Sequence, residues 1–168
     1  DLHRVDRRQR QMCIRDSNYQ TEEAIREIVM FDRRDLIAEL KRDEGFRSKA
    51  YRDTEGIWTI GVGRNLEDVG VTEEEAEMLL GNDIDVAMEE VRKALPFFDE
   101  LDGVRQRVLV NMAFNLGISR LKGFVKFLAA MEMGDWIAAS SEMMDSKWAV
   151  QVGDRAERLK QMVLDGSV

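Results

Sequence analysis

Apolar residues recur at helical spacing along most of the chain. The first clear case covers residues 33–44, where Leu36 and Leu40 mark one apolar face and charged residues occupy the other. Gly45 follows directly, and a glycine that tolerates positive φ commonly ends a helix. We therefore predict a helix over residues 33–44 that holds Glu44 at its end.

A longer helix is predicted over about residues 72–94. Thr72 and Glu75 form a capping-box pattern, and apolar residues continue at helical spacing from there to about Val91. The acidic run at its start is interpreted as a solvated helix terminus. The same spacing then predicts helices over residues 103–116, 119–133 and 135–144 and a last one, capped by Asp154, that runs to about Leu164.

Between the first two helices the pattern changes from helical to alternating. Residues 49–53 predict a short strand and residues 57–61 the strand that returns after a tight turn. The face of the second strand that carries Trp58 is expected to be core, with Thr59 on the opposite face. If the strands pair about the turn, Asp53 and Thr59 fall opposite or diagonal to each other and can share one water.

Composition supports a mostly helical, soluble protein of one sizeable domain or two small lobes. Apolar residues make up 44% and charged residues 35% of the 168 positions, and Pro96 is the only proline. No apolar run reaches membrane-spanning length, and no signal peptide is recognised, so stable membrane insertion is not expected. The formal charge of -8 argues against binding to nucleic acid.

Histidine and cysteine are almost absent. His3 and Cys13 are the single examples, so a disulfide within the chain is impossible and a His/Cys metal site in the domain is excluded. We predict no metal and no cofactor. The chemistry must therefore use carboxylates, hydroxyls, amides or basic side chains.

The N-terminal residues differ from the rest of the chain. Residues 1–17 are basic and lack apolar periodicity, and Met12–Asp16 can be encoded by ATG TGT ATA AGA GAC, the transposase end used in sequencing-library adapters. We predict that this tail is an assembly artefact; a genuine disordered tail is the alternative. Residues 18–32 are predicted as a helical extension, with a short helix over residues 21–30.

Two acids nine positions apart mean little in a chain with 33 acidic residues. The informative signal is the whole pattern of a helix-ending glutamate, a hairpin aspartate and a threonine, interleaved with glycines. Its Glu-x8-Asp-x5-Thr spacing, formed by Glu44, Asp53 and Thr59, resembles the signature of the T-even phage-type lysozymes, glycoside hydrolase family 24. Further matches are Gly45, Arg47, Tyr51, Gly56, Gly61, Gly63, Thr72, Glu75, Ala76, Glu77, Arg105, Asn111, Met112, Phe114, Gly117, Trp148, Arg155 and Ala156.

The resemblance covers roughly residues 34–165 and implies an α+β, predominantly helical, lysozyme-like fold of two lobes. The small lobe, with the hairpin, would span about residues 45–71, and the long helix of residues 72–94 would join it to the helical lobe. The helical lobe would comprise residues 95–168 together with the helix of residues 33–44. The catalytic domain as a whole would be residues 33–168.

The chemistry of glycoside cleavage fits these three residues. Glu44 would be the general acid, kept protonated because a helix C-terminus and partial desolvation disfavour its ionised form. Asp53 would stay ionised, stabilise positive charge on the sugar and hold the attacking water, which Thr59 would orient. A water between Asp53 and the sugar implies inversion.

The resemblance also implies supporting and substrate-binding residues. Arg155 would pair with the catalytic glutamate, with a solvated helix arginine as the alternative. Glu55, Phe114, Asn115 and Trp148 are candidates for lining the sugar cleft, although Trp148 could equally be core and a phenylalanine such as Phe114 is more often core. Gly61 and Gly63 are either positions of close approach or a loosening of the strand end.

Some positions depart from the family pattern. Arg64 stands where relatives often have histidine, and the loop over residues 64–71 is too short for the extra small-lobe helix of the T-even enzyme. Many relatives are basic, whereas this chain is acidic, so its electrostatic attraction to an anionic wall is expected to be weak.

The function implied is hydrolysis of the β-1,4 bond between N-acetylmuramic acid and N-acetylglucosamine in peptidoglycan. The expected role is that of a monomeric phage or prophage endolysin that collects in the host cytoplasm and needs a holin to reach the cell wall. One alternative is a lytic transglycosylase, which needs no positioned water. Another is a non-catalytic wall-binding or virion structural domain.

Overall fold

The computed structural model describes residues 31–166. The predicted tail of residues 1–17 and the predicted helix of residues 21–30 lie outside this range. The described residues form two compact units, a small unit that ends at Val71 and a helical unit that begins at Thr72.

The small unit begins with helix α1, Arg33–Glu44. Asp32 caps it by accepting from the Arg34 amide, and Gly45, at φ 73°, ends it. These bounds confirm the helix predicted from the apolar spacing. None of its residues is buried.

An antiparallel sheet of three strands in the order β1-β2-β3 follows. The strands are β1, Arg47–Arg52; β2, Trp58–Gly61; and β3, Arg64–Asn65. Tyr51 pairs with Thr59 and Arg52 with Trp58, while the register shifts between Arg47 and Tyr51. The predicted hairpin is therefore present.

The burial of β2 is the reverse of the predicted one. Thr59 is 4% exposed and Trp58 is 42% exposed. Arg52, directly across from Trp58, places its guanidinium carbon 4.4 Å from the centre of the indole ring. The Arg52 guanidinium also donates to Glu67 and to the Gly56 carbonyl. Trp58 thus forms a cation–π pair on a solvated face rather than a core contact.

The helical unit consists of seven α-helices and a short 3₁₀ helix, Phe98–Glu100. The α-helices are α2, Glu73–Ala94; α3, Gly103–Leu116; α4, Ile118–Leu121; α5, Val125–Met133; α6, Trp136–Met144; α7, Lys147–Val152; and α8, Asp154–Asp165. The capping box of Thr72 and Glu75 at the start of α2 is formed in full.

Two predicted helix boundaries differ from the observed ones. The single helix predicted over residues 119–133 is divided into α4 and α5 around Gly123, whose amide donates to the Arg120 carbonyl at 3.0 Å. A Cβ at Gly123 would lie 3.1 Å from that same oxygen, so any other residue would push against the Arg120 carbonyl in this turn. Gly153, and not Asp154, is the residue that precedes α8.

A single hydrophobic core fills the helical unit. Helix α3 packs against α2 and α8, and α6 packs against α5 and α8. The largest fully buried side chains of the core are Val91, Phe98, Val108, Leu109, Met112, Leu121, Phe127, Met131, Met143 and Val163. This arrangement, mostly helical with a small antiparallel sheet, confirms the predicted fold class. Within residues 31–166, no helix is long and apolar enough to cross a membrane.

Candidate active site

Glu44 is the last residue of α1. The Gly45 amide donates to the Lys41 carbonyl at 3.1 Å, and this bond ends the helix at the predicted glutamate. The Glu44 side chain is exposed, so the predicted partial desolvation is not present in the structure. Glu44 lines a pocket of about 410 Å³ whose other lining residues are Ile37, Leu40, Lys41, Val62 and Gly63.

Asp53 lies in the hairpin turn, directly after β1. Its carboxylate Oδ1 accepts from the amides of Glu55 and Ile57, both at 2.9 Å. Its own amide donates to the Ile57 carbonyl at 3.0 Å, and its carbonyl accepts from the Gly56 amide at 3.1 Å. Gly56 has a φ of 82°, which favours glycine at this point of the turn.

This arrangement fixes one carboxylate oxygen of Asp53 and leaves the other available. Two peptide N–H donors satisfy Oδ1. No residue in the described range donates a hydrogen bond to Oδ2. The turn therefore orients the carboxylate through the backbone, and Oδ2 can bind a water.

Thr59 lies on the same face of the sheet as Asp53. It pairs with Tyr51, which stands two residues before Asp53 along the chain, so Asp53 and Thr59 are diagonal neighbours. The Thr59 hydroxyl donates to the Ile57 carbonyl at 3.2 Å. Of the two predicted placements, opposite or diagonal, the structure has the diagonal one, and both side chains are anchored on the peptide groups of Ile57. The sequence pattern alone gave no indication of this role of Ile57.

Arg155 and Phe114 line an apolar groove of about 470 Å³ in the helical unit. Arg155 Nε donates to Asn111 Oδ1 at 2.9 Å, and an Arg155 terminal nitrogen donates to the Asn111 carbonyl at 3.1 Å. The guanidinium is thus held in place from α3. Asn111 was not among the candidate site residues, although its position one turn before Phe114 and Asn115 on a helix could have indicated it.

Trp148 belongs to the core. It is 5% exposed and packs edge-on against Phe124, with 6.1 Å between ring centres. Its indole nitrogen donates to Asn115 Oδ1 at 2.8 Å. A core position was the alternative to a cleft-lining role for Trp148. The burial of Trp148 does not support a direct contact between its ring and a sugar. The tryptophan instead orients the exposed Asn115 side chain.

The predicted site residues are divided between the two units. Glu44, Asp53, Glu55 and Thr59 are in the small unit. Phe114, Asn115, Trp148 and Arg155 are in the helical unit, so the pairing of Arg155 with Glu44 stays a prediction. Across residues 31–166, no group of three or more histidine, cysteine, aspartate or glutamate side chains could hold a metal ion.

Glycosidic bond hydrolysis uses a pair of carboxylates, and the small unit offers Glu44 and Asp53 as candidates for such a pair. One is solvent-exposed at a helix end, and the other is fixed by peptide groups in a hairpin beside a hydroxyl. Together with a mostly helical fold that carries a small antiparallel sheet, these two carboxylates are typical of a lysozyme-type glycoside hydrolase. The particular family follows from a match of the phage lysozyme family model to residues 41–163, so the chain belongs to the phage lysozyme family. The substrate class that this membership implies is peptidoglycan.

Individual relatives differ in how much of their length the chain covers. The pre-baseplate central spike protein Gp5 of Enterobacteria phage T4 is 32% identical, and the alignment covers 77% of this chain and 27% of that protein. Probable T4-type lysozyme 1 of Dictyostelium discoideum is 28% identical over 77% of this chain and 93% of its own length. The endolysin of Acyrthosiphon pisum secondary endosymbiont phage 1 is 32% identical over 66% of this chain and 74% of its own. The chain thus spans about a quarter of the spike protein but most of the two smaller relatives.

Proposed function

We propose that this chain is an N-acetylmuramidase. It hydrolyses the β-1,4 bond between N-acetylmuramic acid and N-acetylglucosamine by a single displacement with inversion. The observation that carries this proposal is the hairpin, in which two amides fix Oδ1 of Asp53 and Thr59 lies diagonal to it. A carboxylate held this way is suited to bind and activate a water.

In the first part of the reaction, the protonated carboxyl of Glu44 donates its proton to the glycosidic oxygen. The bond between that oxygen and the anomeric carbon breaks, and the bonding electrons leave with the oxygen. Positive charge develops on the sugar ring, and the negative charge of Asp53 stabilises it.

A water bound to Oδ2 of Asp53 attacks the anomeric carbon as the leaving group departs. Asp53 accepts a proton from this water, and the new carbon–oxygen bond forms on the face opposite to the leaving group, so the configuration inverts. Since the Thr59 hydroxyl donates to the Ile57 carbonyl, its oxygen is left as an acceptor that orients the water.

The helical unit contributes substrate contacts in this proposal. Phe114 is exposed beside the anchored guanidinium of Arg155, and Asn115 is oriented by Trp148. Phe114 and Asn115 contact the glycan, while Arg155 stabilises the carboxylate that Glu44 becomes once it has donated its proton. Glu55, which is exposed in the hairpin turn, adds a polar contact to the sugar from the small unit.

Replacement of Glu44 by Gln tests the assignment. The variant loses the proton donor but keeps the size of the side chain, so clearing of purified peptidoglycan should fall by about 10²- to 10⁴-fold. Glu39→Gln changes the same charge on an exposed position of the same helix and should clear at the wild-type rate. A Glu44→Gln variant with full activity would exclude Glu44 as the general acid.

The products distinguish hydrolysis from transglycosylation. Hydrolysis adds one water and creates reducing muramic acid ends, whereas a transglycosylase leaves anhydro-muramic ends. Mass spectrometry of the digest should show the reducing ends. Nuclear magnetic resonance during early turnover should show the α anomer first, and initial formation of the β anomer would contradict inversion.

The biological role that we propose is host lysis by a phage or prophage endolysin. The protein acts as a monomer, collects in the host cytoplasm and reaches the wall when a holin opens the membrane. Cells that express it alone should keep growing, and cells that also express a holin should lyse. Lysis without a holin would contradict this route.

A second role is favoured by the similarity to the T4 spike protein. In this alternative, the chain is the lysozyme domain of a larger virion component and acts on the wall during infection. Mass spectrometry of purified particles of the source phage would detect peptides of a virion domain. Peptides of an endolysin would be found in the lysate but not in the purified particles. A virion domain that binds peptidoglycan without clearing it would indicate the non-catalytic alternative.

A further inference from the structure

Gly63 lies against the carboxyl group of Glu44. A Cβ built on Gly63 would be 3.4 Å from Glu44 Oε2, 3.8 Å from Cδ and 3.9 Å from Cγ. Gly63 and Glu44 also line the same pocket of about 410 Å³. A side chain at position 63 would therefore enter the space directly beside this carboxyl.

Gly61 provides a comparison two residues earlier. Both glycines have positive φ, 68° at Gly61 and 71° at Gly63. A side chain at either position would therefore cause similar backbone strain. However, a Cβ at Gly61 would meet no atom within 4 Å. The two glycines share a conformational requirement, but only Gly63 adjoins the carboxyl of Glu44.

We propose that Gly63 is a positioning residue for Glu44. This inference rests on the proposed role of Glu44 as the general acid. The bare backbone of Gly63 leaves the Glu44 carboxyl free to take the orientation in which it reaches the glycosidic oxygen.

The distances predict that the effect depends on side-chain size. An alanine methyl at 3.4 Å would be in van der Waals contact with Oε2 and would restrict the rotation of the carboxyl toward position 63. A leucine would extend further and turn the carboxyl away. Misplacement of a catalytic group by about 1 Å can cost about 10²-fold in rate.

The experiment compares Gly63→Ala and Gly63→Leu with Gly61→Ala and Gly61→Leu. On soluble peptidoglycan fragments, kcat should fall several-fold in Gly63→Ala and about 10²-fold in Gly63→Leu. Because a Cβ at Gly61 meets no atom within 4 Å, neither change there should lower kcat more than about twofold. Thermal unfolding gives the folded fraction of each variant, and correcting kcat for it removes the backbone strain that the two positions share. If the leucine variants do not fold, the alanine pair decides the outcome alone.

A binding measurement separates positioning from substrate contact. In the Glu44→Gln background, the further change Gly63→Ala should leave the Kd for the same fragments within about twofold, because the effect acts through the carboxyl. An equal loss of kcat at positions 61 and 63, or a large loss of binding, would overturn the inference. If Glu44→Gln is itself fully active, the proposed function of Glu44 fails as well. If Glu44→Gln is inactive and the two glycines behave alike, only the role of Gly63 fails.

Discussion

The two units of the molecule are stabilised in different ways. In the described part of the chain, every buried apolar residue lies in the helical unit, between Ala87 and Val163. The small unit has Thr59 as its buried residue. Since apolar burial is the main stabilising contribution in folding, the helical unit provides most of the stability of the described chain.

Hydrogen bonds between polar groups and the backbone take the place of a core in the small unit. The Asn65 side chain accepts from the amides of Glu67 and Asp68, both at 2.9 Å. Arg64 Nε donates to the Gly70 carbonyl at 2.6 Å. The Asp53 turn follows the same principle, so the orientation of the proposed water-binding carboxylate comes from peptide geometry and not from side-chain packing.

The proposed catalytic residues and the buried apolar core therefore lie in different units of this chain. A substitution in the hairpin that keeps its hydrogen bonds should change catalysis and leave unfolding nearly unchanged. A substitution in the helical core should do the opposite.

Asp53→Asn is expected to have the largest effect. Asparagine keeps an oxygen that can accept from the amides of Glu55 and Ile57, so the turn should persist, but the negative charge is lost. Activity on peptidoglycan should fall by about 10²- to 10⁴-fold, while the free energy of unfolding changes by less than about 0.5 kcal/mol. Turbidity assays and denaturant titration provide the two measurements.

Asp68→Asn is the matched control, because it removes an exposed carboxylate of the same unit that accepts from the Asn65 side chain at 2.9 Å. It should retain wild-type activity. Equal loss of activity in the two variants would show that the net charge of the small unit matters and not the particular carboxylate of the hairpin turn.

Met112→Ala should have the next largest effect, on stability. Met112 is fully buried on α3, and its truncation leaves a cavity in the core of the helical unit. The free energy of unfolding should fall by about 3 kcal/mol, with the specific activity of the folded protein retained. Met133→Ala, at a position that is 83% exposed, should change stability by less than about 0.5 kcal/mol. Similar losses from both methionines would contradict the division between core and surface.

Local signals made much of the fold predictable from the sequence. The capping box of Thr72 and Glu75 and the helix-ending Gly45 set boundaries that the structure confirms. The hairpin followed from alternation and turn residues, and pairing about the turn predicted Asp53 and Thr59 as opposite or diagonal neighbours, of which the observed register has the diagonal. These features depend on residues close in sequence, which is why pattern reasoning reaches them.

Contacts between distant residues, or contacts that contradict the local pattern, were not predictable. Alternation placed Trp58 in a core, but in the structure its ring packs against the cross-strand Arg52 guanidinium, and no element within residues 31–166 buries it. The bond from Trp148 to Asn115 joins residues 33 positions apart. The approach of Gly63 to Glu44 depends on how the chain returns to the end of α1. Apolar periodicity contains no information on any of these contacts.

Asp102→Asn should have a smaller effect on stability that depends on pH. Asp102 caps α3 by accepting from the amides of Val104 and Arg105 and forms an ion pair with the Arg105 side chain. Partial burial alone would raise the pKa of Asp102. The hydrogen bonds from Arg105 and the backbone and the charge of Arg105 outweigh it and hold this pKa below its usual range.

A carboxylate with a lowered pKa in the folded state stabilises the protein above its unfolded pKa, about 3.9, and this contribution is lost as the pH falls through the folded value. Asparagine can keep the cap but not the charge, so wild type should be more stable than Asp102→Asn by about 1 kcal/mol near neutral pH. The difference in unfolding free energy should shrink below about pH 4. Asp135→Asn is the control, because Asp135 caps α6 through the Ala138 amide and no ion pair to it occurs within residues 31–166. A gap between wild type and Asp102→Asn that stays constant from pH 7 to pH 2 would show that Asp102 acts as a cap alone and not through its ion pair with Arg105.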